Sequence, residues 1–452
     1  MQFLNDRTDY ERALAMPYSE WGLKLQRMRD LLARLGHPEK AIPILHVAGT
    51  KGKGSTAAMA AAVLTAAGYR TGLFTSPHLA GVEERVAVDG RPCTASELVQ
   101  LVDRVRPAVE EIEKTAALEH PDDGGPTFFE ITTAMALLHF AACGADAAVL
   151  EVGLGGRLDS TNVCHPQVAV ITSISFDHTQ QLGNTLAAIA REKAGIIKPG
   201  VPVVSGVTDP GPRAVIRQTC RRRGSPLVEL GVDFDFRYDP PRNLDRSENT
   251  GRLDFHCGAG PSNRSYANLP LRLLGHHQAA NAAVALATLG RLQDAGWTIS
   301  EDAIRAGMGG IAWPARVELV ARRPAVIIDA AHNVASVEAL IRVLDESFSP
   351  RRRLLLFATT REKDARGMIE RLLIRFDHVI LTRYLNNPRA VSAEELGAIA
   401  REVTGQTYAA YQDPIEAWRA IRALATPEDL ICVTGSFYLA AEIRAQVMMN
   451  DE

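Results

Sequence analysis

Short, unbroken apolar runs alternate with longer amphipathic stretches along most of the chain. Ile42–Ala48, Thr71–Thr75, Asp146–Val152, Gln167–Thr172 and Val201–Ser205 carry too few polar alternates to face water on one side. They read as strands of a sheet covered on both faces. The spacing between them predicts helices over Ala57–Ala67, Thr94–Lys114, Thr127–Cys143, Thr185–Gly195 and Pro212–Arg223. An opening helix covers Trp21–Leu32 and stops near Gly36-His37-Pro38. Glu119–Pro126, acidic and glycine-rich, reads as a loop. Such alternation builds a parallel α/β sheet.

The rhythm breaks over residues 227–272, where asparagines, Asp239-Pro240-Pro241-Arg242 and short alternating runs such as Arg252–Cys257 predict a small antiparallel excursion. A long alanine-rich helix, His276–Asp294, follows, and Trp313-Pro314-Ala315-Arg316 reads as a linker. The α/β rhythm then restarts. Strands are predicted at Ala325–Asp329, Leu354–Ala358, His378–Thr382 and Leu430–Val433. Helices are predicted at Ser336–Ser347, Ala365–Phe376, Ser392–Val403 and Pro414–Ala425. The expected fold is therefore α/β in two parts. Residues 1–313 form a nucleotide-binding domain on a parallel sheet, and residues 314–452 a smaller Rossmann-like domain.

Composition narrows the class. At 452 residues the chain is too long for one core. Its 46% hydrophobic and 23% charged residues are those of a globular protein. A net charge of −3 gives no case for a nucleic-acid partner, and Arg221-Arg222-Arg223 reads as a solvated helix end. The N-terminus lacks an apolar signal core, and no apolar run is long enough to span a membrane. The six cysteines are scattered, without metal-ligand spacing, and read as thiols of a reducing compartment, the cytoplasm.

The densest chemistry lies in His46–Thr56, where an apolar strand runs into Gly49-Thr50-Lys51-Gly52-Lys53-Gly54-Ser55-Thr56 and then a helix. Backbone N–H groups of such a turn, a helix N-terminus and Lys53 can surround a phosphate chain, and Ser55 or Thr56 can reach magnesium. The spacing departs from the general phosphate-loop pattern: Val47 holds the first glycine's place, and Gly54 separates Lys53 from the hydroxyl.

Other candidates sit at strand ends, where open α/β sheets bind ligands. Glu151, before Gly153-Leu154-Gly155-Gly156, is either a magnesium ligand or a solvated carboxylate. Asp177-His178 reads equally as a site or as structure. Lys193 by itself only complements a helix dipole. In the second domain, Asp329-Ala330-Ala331-His332-Asn333, Arg361–Asp364 and Val433-Thr434-Gly435-Ser436 line successive strand ends and suggest a cleft. Asn333 also fits a plain N-cap.

Taken in order, His46–Thr56, Thr75–Leu79, Glu151–Asp159, Asp177-His178, Arg191–Gly195, His276–Asn281 and Asp329–Asn333 resemble the folylpolyglutamate synthase and dihydrofolate synthase family of the Mur ligase superfamily. The resemblance runs from about Gly22 to Ser436. It implies an ATP-dependent amide ligase that activates a carboxylate as an acyl phosphate and joins it to the amine of L-glutamate.

By that resemblance Gly52, Lys53, Gly54, Ser55 and Thr56 hold the ATP phosphates. Ser76 and Glu151 hold one magnesium, and His178 a second. Lys193 carries a carbamate, an anion that supports a metal site where an ammonium would repel it. Asn281, Arg316 and Asp329 contact adenosine and phosphate from around an interdomain cleft. His332 and Ser436 handle glutamate. Thr127, Phe128, Phe129 and Glu130, with Leu158, Asp159 and Ser160, face the pterin, on which Phe128 or Phe129 could stack.

The resemblance further implies small-molecule partners only (dihydropteroate or reduced folate, glutamate, ATP) and a monomer. Two departures stand out: Lys51 where many members have asparagine, and Ala315 in place of a glycine before Arg316. A bifunctional synthase is the leading expectation. The alternative is a Mur-type ligase acting on another carboxylate, and the short stretch before the first strand argues against it.

Overall fold

The computed structural model describes residues 2–9, 25–119, 125–258 and 263–449. Trp21–Lys24, expected to start the first helix, lie outside these residues, as does most of the acidic loop. The described helix is Leu25–Arg34. By internal contacts the chain divides into two units. One comprises residues 1–237, 253–269 and 280–311, the other residues 238–252, 270–279 and 312–452.

The first unit is built on eight strands: β1 (Ile44–Ala48), β2 (Thr71–Phe74), β3 (Val86–Val88), β4 (Arg91–Pro92), β5 (Ala147–Glu151), β6 (Val168–Ile171), β7 (Val203–Ser205) and β8 (Leu227–Glu229). They lie in the order β4-β3-β2-β5-β1-β6-β7-β8. All pairs are parallel except β2–β3 and β3–β4. The strands predicted as apolar runs are the buried ones: β1, β2, β5, β6 and β7 have no exposed residue. β3 and β4 form an antiparallel edge that the periodicity did not separate from the loop before Thr94. β8, expected within the antiparallel excursion, instead extends the parallel sheet beside β7. Its three residues are too short to carry a period of their own.

The excursion itself is a three-stranded sheet in the order β11-β10-β9, from β9 (Phe234–Asp239), β10 (Gly251–Cys257) and β11 (Arg264–Leu271). β10 alternates strictly between buried and exposed, as a half-covered strand should.

The second unit carries β12 (Glu318–Arg322), β13 (Ala325–Ile328), β14 (Arg353–Phe357), β15 (His378–Thr382), β16 (Ala409–Tyr411) and β17 (Leu430–Thr434), in the order β12-β13-β17-β14-β15-β16. β12 is antiparallel and the rest are parallel. The edge strands β12 and β16 were not legible, because β12 begins and ends on a charged residue and β16 is only three residues long.

Among the described residues no helix is long and apolar enough to cross a membrane. All six cysteines are unpaired, and all but the half-buried Cys143 are buried.

Candidate active site

The strand order puts β1 between β5 and β6, so the turn after β1 is flanked by the ends of both neighbours. The helix begins at Lys53, four residues earlier than the alanine pattern suggested, with Gly52 as its N-cap at φ 82°. A Cβ on Gly52 would lie 2.1 Å from Asn281 Oδ1, and one on Gly49 would lie 1.9 Å from Thr172 Oγ1. Only glycine fits either place. Gly52→Ala is expected to lose about 1–2 kcal/mol from backbone strain alone, plus the cost of moving Asn281, read as a lower denaturation midpoint.

The loop after β6 fastens this turn. Thr50 N–H donates to Ser173 O at 2.7 Å and Lys51 N–H to Ser173 Oγ at 3.0 Å. The Thr172 and Ser173 hydroxyls both donate to Lys51 O, at 2.7 and 2.9 Å. Thr50 Oγ1 exchanges hydrogen bonds with the Ser175 backbone. The Lys51 ammonium meets Asp177 Oδ2 at 2.7 Å. None of Thr172, Ser173 or the Lys51–Asp177 pair was evident beforehand, because the sequence does not reveal that β6 lies beside β1.

Lys53 Nζ lies 4.0 Å from Glu151 Oε1, and Ser76 N–H donates to Glu151 Oε2 at 3.1 Å. Glu151 is buried at the end of β5, so the reading as a solvated carboxylate fails. His178 follows in left-handed conformation at φ 49°, with its side chain 52% exposed and Nε2 3.8 Å from Asp177 Oδ1. Lys193 is only 4% exposed. Its amine is pushed down to about 7, first by burial and then by the Lys53 ammonium, against the pull of Asp177 and Asp159. Among the described residues its Nζ has no hydrogen-bond or ion-pair partner. Lys193 is therefore no dipole complement in solvent but a buried amine near the lysines of the glycine turn.

On the β5 side, Thr127 caps the helix Phe128–Ala142 in a reciprocal box with Glu130. Glu130 is buried and takes both Nε contacts of Arg27 at 3.0 Å. Phe128 is buried under the Arg85 guanidinium, whereas Phe129 is half-buried over Gly153. Asp159 is buried, capping the 3-10 turn Ser160–Val163 and accepting Leu154 N–H at 2.9 Å. Burial pushes its carboxyl up against those hydrogen bonds. Thr161 gives its hydroxyl proton to Asp159, so His46 Nε2–H donates to Thr161 Oγ1 at 2.8 Å. His46 is thus neutral, held down to about 3 by burial and then by the Lys198 ammonium. Glu130 and Asp159 are both engaged within the unit, which leaves the half-buried Phe129 and Leu158 as the accessible members of this group.

In the second unit Asp329 follows β13, buried, and accepts Val317 N–H at 2.9 Å and Ala331 N–H at 2.8 Å. Burial raises its carboxyl. Ala315 and Val317 stand at φ 53° and 48°. Two such residues cost about 2–4 kcal/mol, and one charge-assisted hydrogen bond returns about 1.5–3. Asp329 does not hold this turn alone: Ala330 N–H donates to Ala315 O at 3.1 Å, and Ala315 N–H donates to Glu318 Oε2 at 3.0 Å. Arg316, between them, has its guanidinium carbon 5.8 Å from the Phe437 ring centre. His332 Nδ1–H donates to Ala330 O at 2.9 Å, and Asn333 caps the helix Val334–Ser347 in a box with Ser336. Ser436 is buried just after β17, at the same end of the sheet as Asp329, and its Oγ accepts the Tyr438 N–H at 3.2 Å.

Residues 47–289 match the Mur ligase middle domain, and residues 315–437 match the Mur ligase glutamate ligase domain. Over 432 residues the chain is 38% identical to the dihydrofolate synthase/folylpolyglutamate synthase of Bacillus subtilis, across 95% of this chain and 96% of that one. The chain belongs to the folylpolyglutamate synthase/dihydrofolate synthase family. Solved structures of this family agree. Mycobacterium tuberculosis folylpolyglutamate synthase complexed with ADP gives a TM-score of 0.87 at 32% identity, covering 99% of this chain and 97% of that chain. E. coli FolC in complex with DHPP and ADP gives 0.80 at 30%, covering 100% and 97%.

The donor set suits the metal that this synthase family implies. Among the described residues no three His, Cys, Asp or Glu side chains converge on one point. Magnesium commonly takes one or two carboxylates and completes its shell with phosphates and water. A single buried carboxylate, Glu151, 4.0 Å from the lysine of the glycine turn suits that arrangement.

Proposed function

We propose that the chain is an ATP-dependent ligase that joins L-glutamate to dihydropteroate and to the γ-carboxylate of reduced folates. The observation that carries this reading is the placement of Lys53, Glu151 and the buried Lys193 amine around a glycine turn that a second strand end holds in shape. A carboxylate is a poor electrophile. Transfer of the terminal phosphoryl group of ATP gives it a leaving group, and the glutamate amine then displaces phosphate, leaving ADP and phosphate as products.

The residues divide this work. The turn Gly52–Thr56 offers backbone N–H groups and a helix N-terminus to the phosphates. Lys53 offsets charge on the transferring group. Glu151, with Ser76, would hold one magnesium ion and His178 a second. When bound, magnesium would draw together the several negative oxygens and make phosphoryl transfer possible. Lys193, with its amine near neutrality, is the residue to take up carbon dioxide as a carbamate. At pH 7 an ordinary lysine is neutral roughly once in a few thousand molecules, whereas an amine at about 7 is neutral about half the time.

Asn281, Arg316 and Asp329 serve the nucleotide. His332 and Ser436 serve the incoming glutamate. Phe129 stacks on the pterin, with Thr127, Phe128, Glu130, Leu158, Asp159 and Ser160 shaping its surroundings. The enzyme works as a monomer in the cytoplasm, a reading that the unpaired thiols favour.

Phosphate release with glutamate and either dihydropteroate or tetrahydrofolate tests this function. Release with both acceptors is expected. Release with one alone would make the enzyme a dedicated synthase or a dedicated tail-extending enzyme, and release with neither would reject the folate reading.

A further inference from the structure

The turn that carries Arg316 is strained and buried: Ala315 is 0% and Val317 3% exposed, both at positive φ. Side-chain-bearing residues stay in that region only where their surroundings over-determine them. Asp329 fixes the Val317 N–H, and Ala330 N–H fixes Ala315 O at 3.1 Å. The Arg316 guanidinium also donates to Ala315 O, at 3.0 Å, and on the other side of the same residue the Ala315 N–H donates to Glu318 Oε2 at 3.0 Å. Glu318 is in turn gripped from the helix Phe437–Met449. Arg444 Nε donates to its two oxygens at 3.1 and 2.9 Å, and a terminal guanidinium nitrogen donates to Oε1 at 2.9 Å.

A bidentate pair of this kind fixes direction as well as distance. The same helix begins with Phe437, whose ring lies under the Arg316 guanidinium. One element thus sets both the backbone of the turn and the surface against which its arginine rests.

We propose that Glu318 and Arg444 are positioning residues for Arg316. The Arg444–Glu318 pair clamps the Ala315 N–H, keeps the turn left-handed, and so aims the arginine at its phosphate ligand. This rests on the reading of Arg316 as a nucleotide contact. Neither residue touches substrate. The clamp makes up for the alanine that stands where a glycine would enter the same conformation unaided.

The test is the ATP dependence of phosphate release by the full-length enzyme, at saturating dihydropteroate and glutamate, with denaturation midpoints measured alongside. Arg316→Ala, Glu318→Ala, Arg444→Met and the double variant Glu318→Ala/Ala315→Gly are compared with the parent. KM for ATP is expected to rise about 10–100-fold in the two clamp variants, as for other supporting-shell losses, with kcat changed far less. The double variant should recover much of that loss, because glycine needs no clamp. Arg444 is partly exposed and carries the test if Glu318→Ala folds poorly.

If Arg316→Ala weakens ATP use and the clamp variants do not, the positioning role is overturned. If glycine at 315 restores nothing, the backbone route is overturned. If Arg316→Ala itself leaves KM for ATP unchanged, the underlying reading of Arg316 fails, and that outcome is distinct from the other two.

Discussion

Lys53→Met is expected to lower kcat by about 10²–10³-fold, the usual loss when one preorganised donor to a developing negative charge is removed. ATP affinity should fall less, because the backbone N–H groups of the turn remain. The methionine keeps the length of the stem, so the fold should survive. The change also reaches a second residue. After burial, the Lys53 ammonium is the largest influence holding the Lys193 amine low. Without it Lys193 keeps its proton more readily, and the variant should need more bicarbonate for its residual turnover. Steady-state rates measured across bicarbonate concentrations read both effects. Near-parental kcat would remove Lys53 from the phosphoryl-transfer step.

Lys193→Ala is expected to lose about 10–100-fold in activity, with partial recovery on adding acetate, whose carboxylate can stand in the vacated space. The same residue has an opposite effect on stability. Its folded value of about 7 lies below the unfolded 10.5. Between those values the unfolded chain binds more protons, so stability rises with pH across that window and is lowest below about 7. Lys193→Met removes that penalty. It should be about as impaired in turnover as the alanine variant, yet more resistant to denaturant than the parent at pH 6 and less distinguishable from it near pH 10. Undiminished turnover in Lys193→Ala would dispose of the carbamate.

The buried strands could be read directly because a strand covered on both faces has no choice but to be apolar: β1, β5 and β6 are seen at once. β8, β12 and β16 were missed because short or edge strands leave no period. The glycine turn was legible as a strand-to-helix turn, since Gly49 and Gly52 stand where no side chain fits. Its fastening was not legible. Thr172, Ser173 and Asp177 act on it only because β6 is the neighbour of β1, and strand order is set by tertiary packing. Lys193 shows the same limit from another side. A lysine near a helix end looks ordinary until burial is known, and the amine's depressed proton affinity follows entirely from that burial. Ala315 was noted as a departure from the family's glycine, but the left-handed backbone that gives the departure meaning is visible only in the structure.

The position of β1 between two strands that come much later in the chain has a consequence during synthesis. The turn at Gly49–Lys53 has left the ribosome long before Thr172 and Ser173, which hold it, have been made. At about 5–20 residues per second, that interval is on the order of ten seconds. For most of it the apolar β1 lacks both neighbours, and until β6 joins β5 beside it the glycine turn is not fastened. A nascent chain cut short before Ser173 should therefore show no nucleotide protection from proteolysis, and protection should appear only in chains long enough to hold both β6 and the later residues Asn281, Arg316 and Asp329.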